Sequence, residues 1–409
     1  MATTMSWINC QLLSSLKQLK LTLAPSHSKS TRVLITPNTI DLTTINSAES
    51  DPLSDTFLCF SETVDPSTLN INQSGHYVTL SLAIQSMDSI ETTTSITPDS
   101  AHTDMTAAQN WSSSQSIQCH NCKFNLTNTS QSDPSATHNL FERHVDLPSQ
   151  HWHEMLECWA CHHEDYSSTL QGQQGGLILA QKNAVLVGDS YILLHPDTMQ
   201  MDRLAIIYTG NESIFRSTRW IRVVCKRCRH PVGECFMDDG AALDSTDLQQ
   251  VKIVKLFKYR IDAMIGSGRP LHTSFPDCFI EEIMDIANAH ATYRFYIHDE
   301  DSLNEAKPLL YIWLFSTHIQ SVRIRETGRV KVKQRPAIKV LYKTFHRNDP
   351  INNHPDMSNK QNTERLYMAS DLVVMLIKLL HINSEEQLPA PERKMLGFKA
   401  SVLFYSRPA

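Results

Sequence analysis

Two short cysteine pairs, Cys119-His120-Asn121-Cys122 and Cys225-Lys226-Arg227-Cys228, carry the clearest chemistry in this chain. Each C-x-x-C places two thiolates on one tight turn, and two such turns complete the tetrahedral four-sulfur shell that a structural Zn²⁺ prefers. The pairs stand 103 positions apart, whereas a local zinc finger closes within roughly 20 residues. A shared metal would therefore act as a staple between distant segments and not as a reaction centre. Turn-formers and cations flank both pairs and favour thiolate. The competing readings are two unrelated reduced pairs and a redox C-x-x-C. The redox reading lacks the strand-then-helix setting of a thioredoxin-like motif.

A second cluster is His151-Trp152-His153-Glu154-Met155-Leu156-Glu157-Cys158-Trp159-Ala160-Cys161-His162-His163. Trp152, Met155, Leu156 and Trp159 recur at helical spacing, so a short amphipathic helix would put both indoles on one face. Three readings stand side by side. Cys158 and Cys161 with the following histidines could form a second metal site. The segment could be a packed helix that ends in Cys and His. Cys161 and His162 could also form an exposed tip that reaches an open position on a partner's metal.

Composition and periodicity define the elements that carry these residues. The chain has 409 residues, 41% hydrophobic and 20% charged, which suits two or three globular domains with a sizeable core. A net charge of −6 gives no general nucleic-acid surface. The one basic stretch, from Arg323 to Arg335, alternates with apolar residues as a strand with one solvated face does. The first residues lack a signal-peptide pattern, and no run approaches the roughly 20 apolar residues of a membrane span. Six of the ten cysteines sit in C-x-x-C pairs. That usage fits a reducing cytoplasm or nucleus better than a disulfide framework.

Residues 1–83 read as a β-rich region, with alternating strands at Thr31–Thr36 and His76–Leu82. Residues 84–118, rich in Ser, Thr, Asp and Gln, read as a disordered insertion or long loop. Residues 119–247 form a β region that holds both cysteine pairs and the Trp/Cys segment. Within it, Gly188-Asp189-Ser190 is a tight turn, since no nucleophile elbow or His/Asp pairing accompanies the serine. Residues 248–409 alternate strands and helices. Expected here are strands at Val251–Tyr259, Tyr293–His298, Leu309–Ser316, Ser321–Glu326, Ala337–Phe345 and Phe398–Tyr405. Helices are expected at Pro276–Ala291 and Thr363–Leu380. The fold class is thus α+β, a β-rich N-terminal half stapled by a zinc knuckle and an α+β C-terminal half.

The order of motifs resembles a known family. It runs C-x-x-C, Trp-x6-Trp-x-Cys-His, Gly188-Asp189-Ser190-Tyr191 and Val224-Cys225-Lys226-Arg227-Cys228. It continues with Leu309-Leu310-Tyr311-Ile312-Trp313-Leu314, Ile338-Lys339-Val340-Leu341-Tyr342 and Arg393-Lys394-Met395-Leu396-Gly397-Phe398. This series is similar to the E2-binding, HECT-like ubiquitin-protein ligases from about residue 119 to the end. The resemblance implies an E3 ligase that accepts ubiquitin from an E2 partner, with a HECT-like stretch over 248–409. Such a mechanism needs a thiolate that attacks the E2~ubiquitin thioester. Cys278, at the start of the helix at 276–291, is the candidate catalytic residue because a helix N-terminus lowers thiol pKa; an inert, half-buried cysteine is the alternative. Cys235 is a further loose thiol.

The resemblance also implies a link to mRNA 3′-end processing. There a similar Trp/Cys segment inserts a cysteine into the zinc site of a metallo-β-lactamase endonuclease. By motif position Cys161 would be that ligand, with Trp152, Trp159 and His162 binding the partner. The alternative function is therefore a non-enzymatic regulator that blocks the nuclease metal.

Overall fold

The computed structural model describes residues 8–13, 16–23, 31–37, 39–44, 55–59, 63–74, 77–86, 111, 113–128, 139–147, 179–207, 220–237, 250–266, 270–300, 308–324, 328–331, 335–345 and 362–405. Strands dominate, and the described residues include two α-helices, α1 (Phe275–His290) and α2 (Ser370–Gln387). The chain divides into two compact units. One comprises Met1–Ser95 with Tyr293–Tyr405, the other Ile96–Thr292 with Ser406–Ala409. Neither unit is a continuous half of the sequence, and each holds one of the two described helices. Both described helices fall within residues 248–409, and strands predominate in each unit.

Two strand pairings join the separate segments of the first unit, and one of them sets Gly328–Lys331 parallel to Asp55–Cys59. Ile8–Leu13 lies antiparallel to Leu310–Ile324, with Cys10 opposite Val322 and Leu13 opposite Ile319. The same N-terminal strand pairs on its other side with Gln18–Leu23. A ten-stranded sheet results, and a four-stranded sheet accompanies it. The strands expected separately at Leu309–Ser316 and Ser321–Glu326 are one strand, Leu310–Ile324, interrupted by bulges between Leu314 and Ile319. Extra residues in a bulge break the period-2 pattern without ending the strand.

The helix expected at Thr363–Leu380 is split. Glu364–Met368 is a strand parallel to Arg294–Asp299, and α2 starts only at Ser370. Leu366 therefore belongs to a strand, while Leu372, Val373, Leu376 and Leu380 form the buried stripe of α2.

The second unit carries a seven-stranded sheet and a three-stranded sheet. Its core gathers Val185, Leu194, Val223, Val232, Val254 and Ile261 around the cysteine pairs. The Ser/Thr-rich stretch is not loop to its end. Ser114–Cys119 pairs with Ile261–Ile265, and Trp111 is buried. One large indole and a period-2 burial anchor residues whose average composition is polar.

Helix α1 begins where expected for a local reason. The Ser274 side chain accepts a hydrogen bond from the Asp277 amide, Pro276 occupies the first turn, and Asp277 complements the positive helix end. Phe279, Ile280, Ile283 and Ala287 are buried on its inner face, each large side chain contributing about 1.5–3 kcal/mol. At Gly233, between Trp220–Cys225 and Val251–Phe257, an added Cβ would lie 1.9 Å from the Lys255 carbonyl oxygen, so only glycine allows this strand approach. Among the described residues no helix is long and apolar enough to cross a membrane.

Candidate functional site

Both cysteine pairs are built the same way. Strand Ser114–Cys119 ends at Cys119, whose N–H donates to the Phe124 carbonyl at 2.9 Å. The Lys123 N–H returns to the Cys119 carbonyl at 2.8 Å, with Lys123 at φ 57. Strand Trp220–Cys225 ends at Cys225, whose N–H donates to the His230 carbonyl at 2.9 Å. The Arg229 N–H returns to the Cys225 carbonyl at 2.8 Å, with Arg229 at φ 61. Each left-handed residue reverses the chain so that both sulfurs of a pair point the same way.

The two turns face one another. Cys119 Sγ lies 3.7 Å from Cys228 Sγ, and Cys122 Sγ lies 3.7 Å from Cys225 Sγ. All four sulfurs lie within 4.8 Å of one another. A tetrahedral ion with metal–sulfur bonds of about 2.3 Å requires sulfur–sulfur edges of about 3.8 Å. The cluster therefore fits a tetrahedral metal ion and is compatible with zinc.

Local electrostatics suit thiolate ligands unequally. Burial pushes the thiols of Cys119 and Cys225 up, against the backbone N–H groups that each accepts. Burial also acts on Cys228, but there the His230 amide, the Asn121 side chain and the neighbouring thiols outweigh it and bring the thiol down to about 7. Arg203 and Arg227 stack over Phe124 at 4.9 and 5.8 Å, placing positive charge around a four-thiolate shell that would carry net negative charge when metallated.

A second layer locks the two turns. Buried Asp262 receives the Lys123 ammonium at 2.6 Å and lies 2.8 Å from His120 Nδ1 and 3.2 Å from His272 Nδ1. The two imidazoles stack, with ring centroids 3.9 Å apart. Burial disfavours the charged Asp262 carboxylate, yet His272, His120 and Lys123 together hold it well below its usual range. In return the Asp262 hydrogen bond raises His272. Arg260 connects the turns: its carbonyl accepts from the His120 N–H at 3.0 Å, and its guanidinium lies 2.7 Å from His230 Nε2. Sequence reading missed Arg260, Asp262 and His272. An aspartate inside the otherwise apolar Ile261–Ile265 was the available signal.

Cys278 is placed differently from what a catalytic thiol requires. It sits in the first turn of α1, and its side chain is only 2% exposed. Burial pushes its thiol up and outweighs the nearby Lys258 ammonium. The helix N-terminus does not activate it, because desolvation disfavours thiolate more strongly. Lys258 is itself buried, which lowers it to about 8. Cys235 is fully buried. The Gly188-Asp189-Ser190 segment is a turn closed by the Gly188 N–H to the Tyr191 carbonyl at 2.9 Å. Trp152, Cys158, Trp159, Cys161 and His162 lie outside the described residues.

A family model described as HECT-like ubiquitin-conjugating enzyme (E2)-binding matches residues 11–400, and the chain belongs to that family. The chain is 21% identical over 285 residues to a Pongo abelii protein named as an E3 ubiquitin-protein ligase, covering 64% of this chain and 67% of that one. The Homo sapiens protein of the same name is 21% identical over 192 residues, covering 44% of each chain. An uncharacterized Schizosaccharomyces pombe protein is 24% identical over 205 residues, covering 50% of this chain and 48% of its own. No solved structure gives a significant match.

Proposed function

We propose that this protein is an E3 ubiquitin ligase that binds an E2 partner and promotes transfer of ubiquitin from the E2 to protein substrates, with Zn²⁺ as a structural cofactor. The family match over residues 11–400 carries the reading, because its described property is E2 binding. The E3 ligase names of two relatives support it. The fit of Cys119, Cys122, Cys225 and Cys228 to a tetrahedral ion supports zinc. Bound there, the ion would supply rigidity. Four sulfur ligands leave no position for water or substrate.

Burial of Cys278 favours one route over another. A ubiquitin thioester on this protein needs an exposed thiolate of low pKa. Cys278 has neither property. With Cys278 set aside, the proposed route is direct: the amine of a substrate lysine attacks the E2~ubiquitin thioester, an isopeptide bond forms, and the E2 thiol leaves. The protein's part is to hold E2 and substrate together.

The test is a ubiquitination reaction with E1, a panel of E2s and either wild-type protein or Cys278→Ala, resolved without reductant. Protein-dependent ubiquitin conjugates that persist in Cys278→Ala support direct transfer. A reductant-sensitive ubiquitin adduct on the protein, whether lost or kept in Cys278→Ala, would replace it with a thioester relay. No protein-dependent conjugate with any E2 would remove the ligase reading.

A further inference from the structure

The C-terminal hairpin of the first unit contains three local choices that work against its own stability. Lys394–Met395 and Phe398–Phe404 are joined by the two-residue turn Leu396-Gly397, with φ 53 and 82. Two positive φ values define the turn type in which Asn-Gly is strongly preferred, because a branched apolar side chain is strained there. Among the described residues with positive φ, Leu396 is the only large apolar one. It is also 66% exposed, the second unfavourable choice. The third is charge: Lys394 stands directly opposite Lys399, a like-charged cross-strand pair.

The hairpin is nevertheless held firmly. The Arg393 guanidinium donates to the Glu385 carboxylate, to the Glu385 carbonyl at 2.7 Å and to the Leu388 carbonyl at 3.1 Å. Behind the tip, Met395 packs against a buried cluster that includes Phe398 and Leu341. From Phe398 an aromatic row continues over the sheet. Trp313 meets Phe398 edge-on at 6.3 Å and Phe315 at 5.8 Å, and Phe315 is 41% exposed. Backbone strain at a leucine, its exposure and a like-charged pair coincide at this one rigidly supported tip, which is the pattern of a functional element. A preorganised apolar side chain loses little entropy when it enters a pocket.

We propose that this hairpin is the docking element for the ubiquitin-conjugating enzyme, with Leu396 entering an apolar pocket and Lys394 and Lys399 facing an acidic rim. The proposal rests on the E2-binding reading above and assigns that partner a surface. The two lysines argue for an acidic partner, since attraction across an interface would offset the repulsion they suffer within the hairpin.

The experiment measures binding of the full-length, zinc-loaded protein to a panel of purified E2s by calorimetry, alongside its melting temperature. Leu396→Asn replaces a strained residue by one that favours the turn. It is expected to hold or raise the melting temperature by about 2–4 °C while weakening E2 binding at least about 10-fold. Lys394→Glu combined with Lys399→Glu keeps a like-charged pair but inverts its sign, and is expected to weaken binding at unchanged melting temperature. Wild-type E2 affinity in both variants overturns the docking site and leaves the E2-binding reading intact. No E2 bound by the wild type overturns both. Self-association that is lost in Leu396→Asn, with E2 binding unchanged, reassigns the tip to a second copy of this chain.

Discussion

Removing the metal should cost the second unit most of its stability, and the structure sets the size of the effect. The sulfurs of Cys122 and Cys225 meet at 3.7 Å across 103 positions of chain. Closing a loop of that length costs the unfolded chain about 4–5 kcal/mol by the chain-entropy relation used for covalent cross-links. A metal tetrad imposes the same constraint on the unfolded ensemble when it stays bound, and adds its binding free energy when it does not. Domains are stable by only about 5–15 kcal/mol, so loss of the staple brings this unit near its folding limit. The perturbation is Cys225→Ser, or a strong zinc chelator applied to the wild type. Thermal unfolding read by circular dichroism, with metal content measured by mass spectrometry, should show one zinc per chain. The melting temperature of the unit should fall by about 10–20 °C on loss of the ion. An unchanged melting temperature in metal-free protein would show that the cluster holds its geometry without a staple.

Four further outcomes follow from other residues. Asp262→Asn should weaken zinc affinity about 10-fold in a chelator competition, because it loosens the carboxylate's hold on His120 and Lys123 of the first cysteine turn and on His272; unchanged affinity would make Asp262 a bystander. Cys278 should resist alkylation in the folded protein and react only on unfolding, as its burial requires; rapid labelling under native conditions would contradict its placement. Glu392 is acidified by Lys339 and Lys20 despite its burial, so its folded pKa lies below the ordinary 4.5. Its stabilising contribution is therefore present above about pH 4.5 and lost as pH falls further. Glu392→Gln should flatten that acid response and cost about 3–5 kcal/mol at neutral pH by leaving buried Lys339 without its ion pair. Gly233→Ala should destabilise the second unit by about 2–3 kcal/mol, read as a lower midpoint in chemical denaturation, because its Cβ would collide with the Lys255 carbonyl.

What could be read from sequence was local. The C-x-x-C turns, the Gly188–Ser190 turn and the helix expected from Pro276 each depend on residues a few positions apart. The strand Val251–Phe257 and the closing strand Phe398–Phe404 were visible from their apolar periodicity. The pairing of Ile8–Leu13 with Leu310–Ile324 was not, because strand partners three hundred positions apart leave no mark in either segment. Glu364–Met368 was absorbed into a helix because its leucine falls in phase with the stripe of α2. Its parallel partner Arg294–Asp299 overrides that phase. Asp262 and Arg260 lay between recognised elements. Their roles exist only once both cysteine turns are brought together.

As proposed above, the protein acts on an E2 and promotes ubiquitin transfer without a thioester at Cys278. The most direct test is single-turnover discharge of preformed E2~ubiquitin onto free lysine, with the zinc-loaded full chain titrated in. The account predicts saturable acceleration with at least one E2, equal in Cys278→Ala and with no ubiquitin thioester on this protein. Discharge that never rises above the E2 alone, across the whole E2 panel, would contradict it.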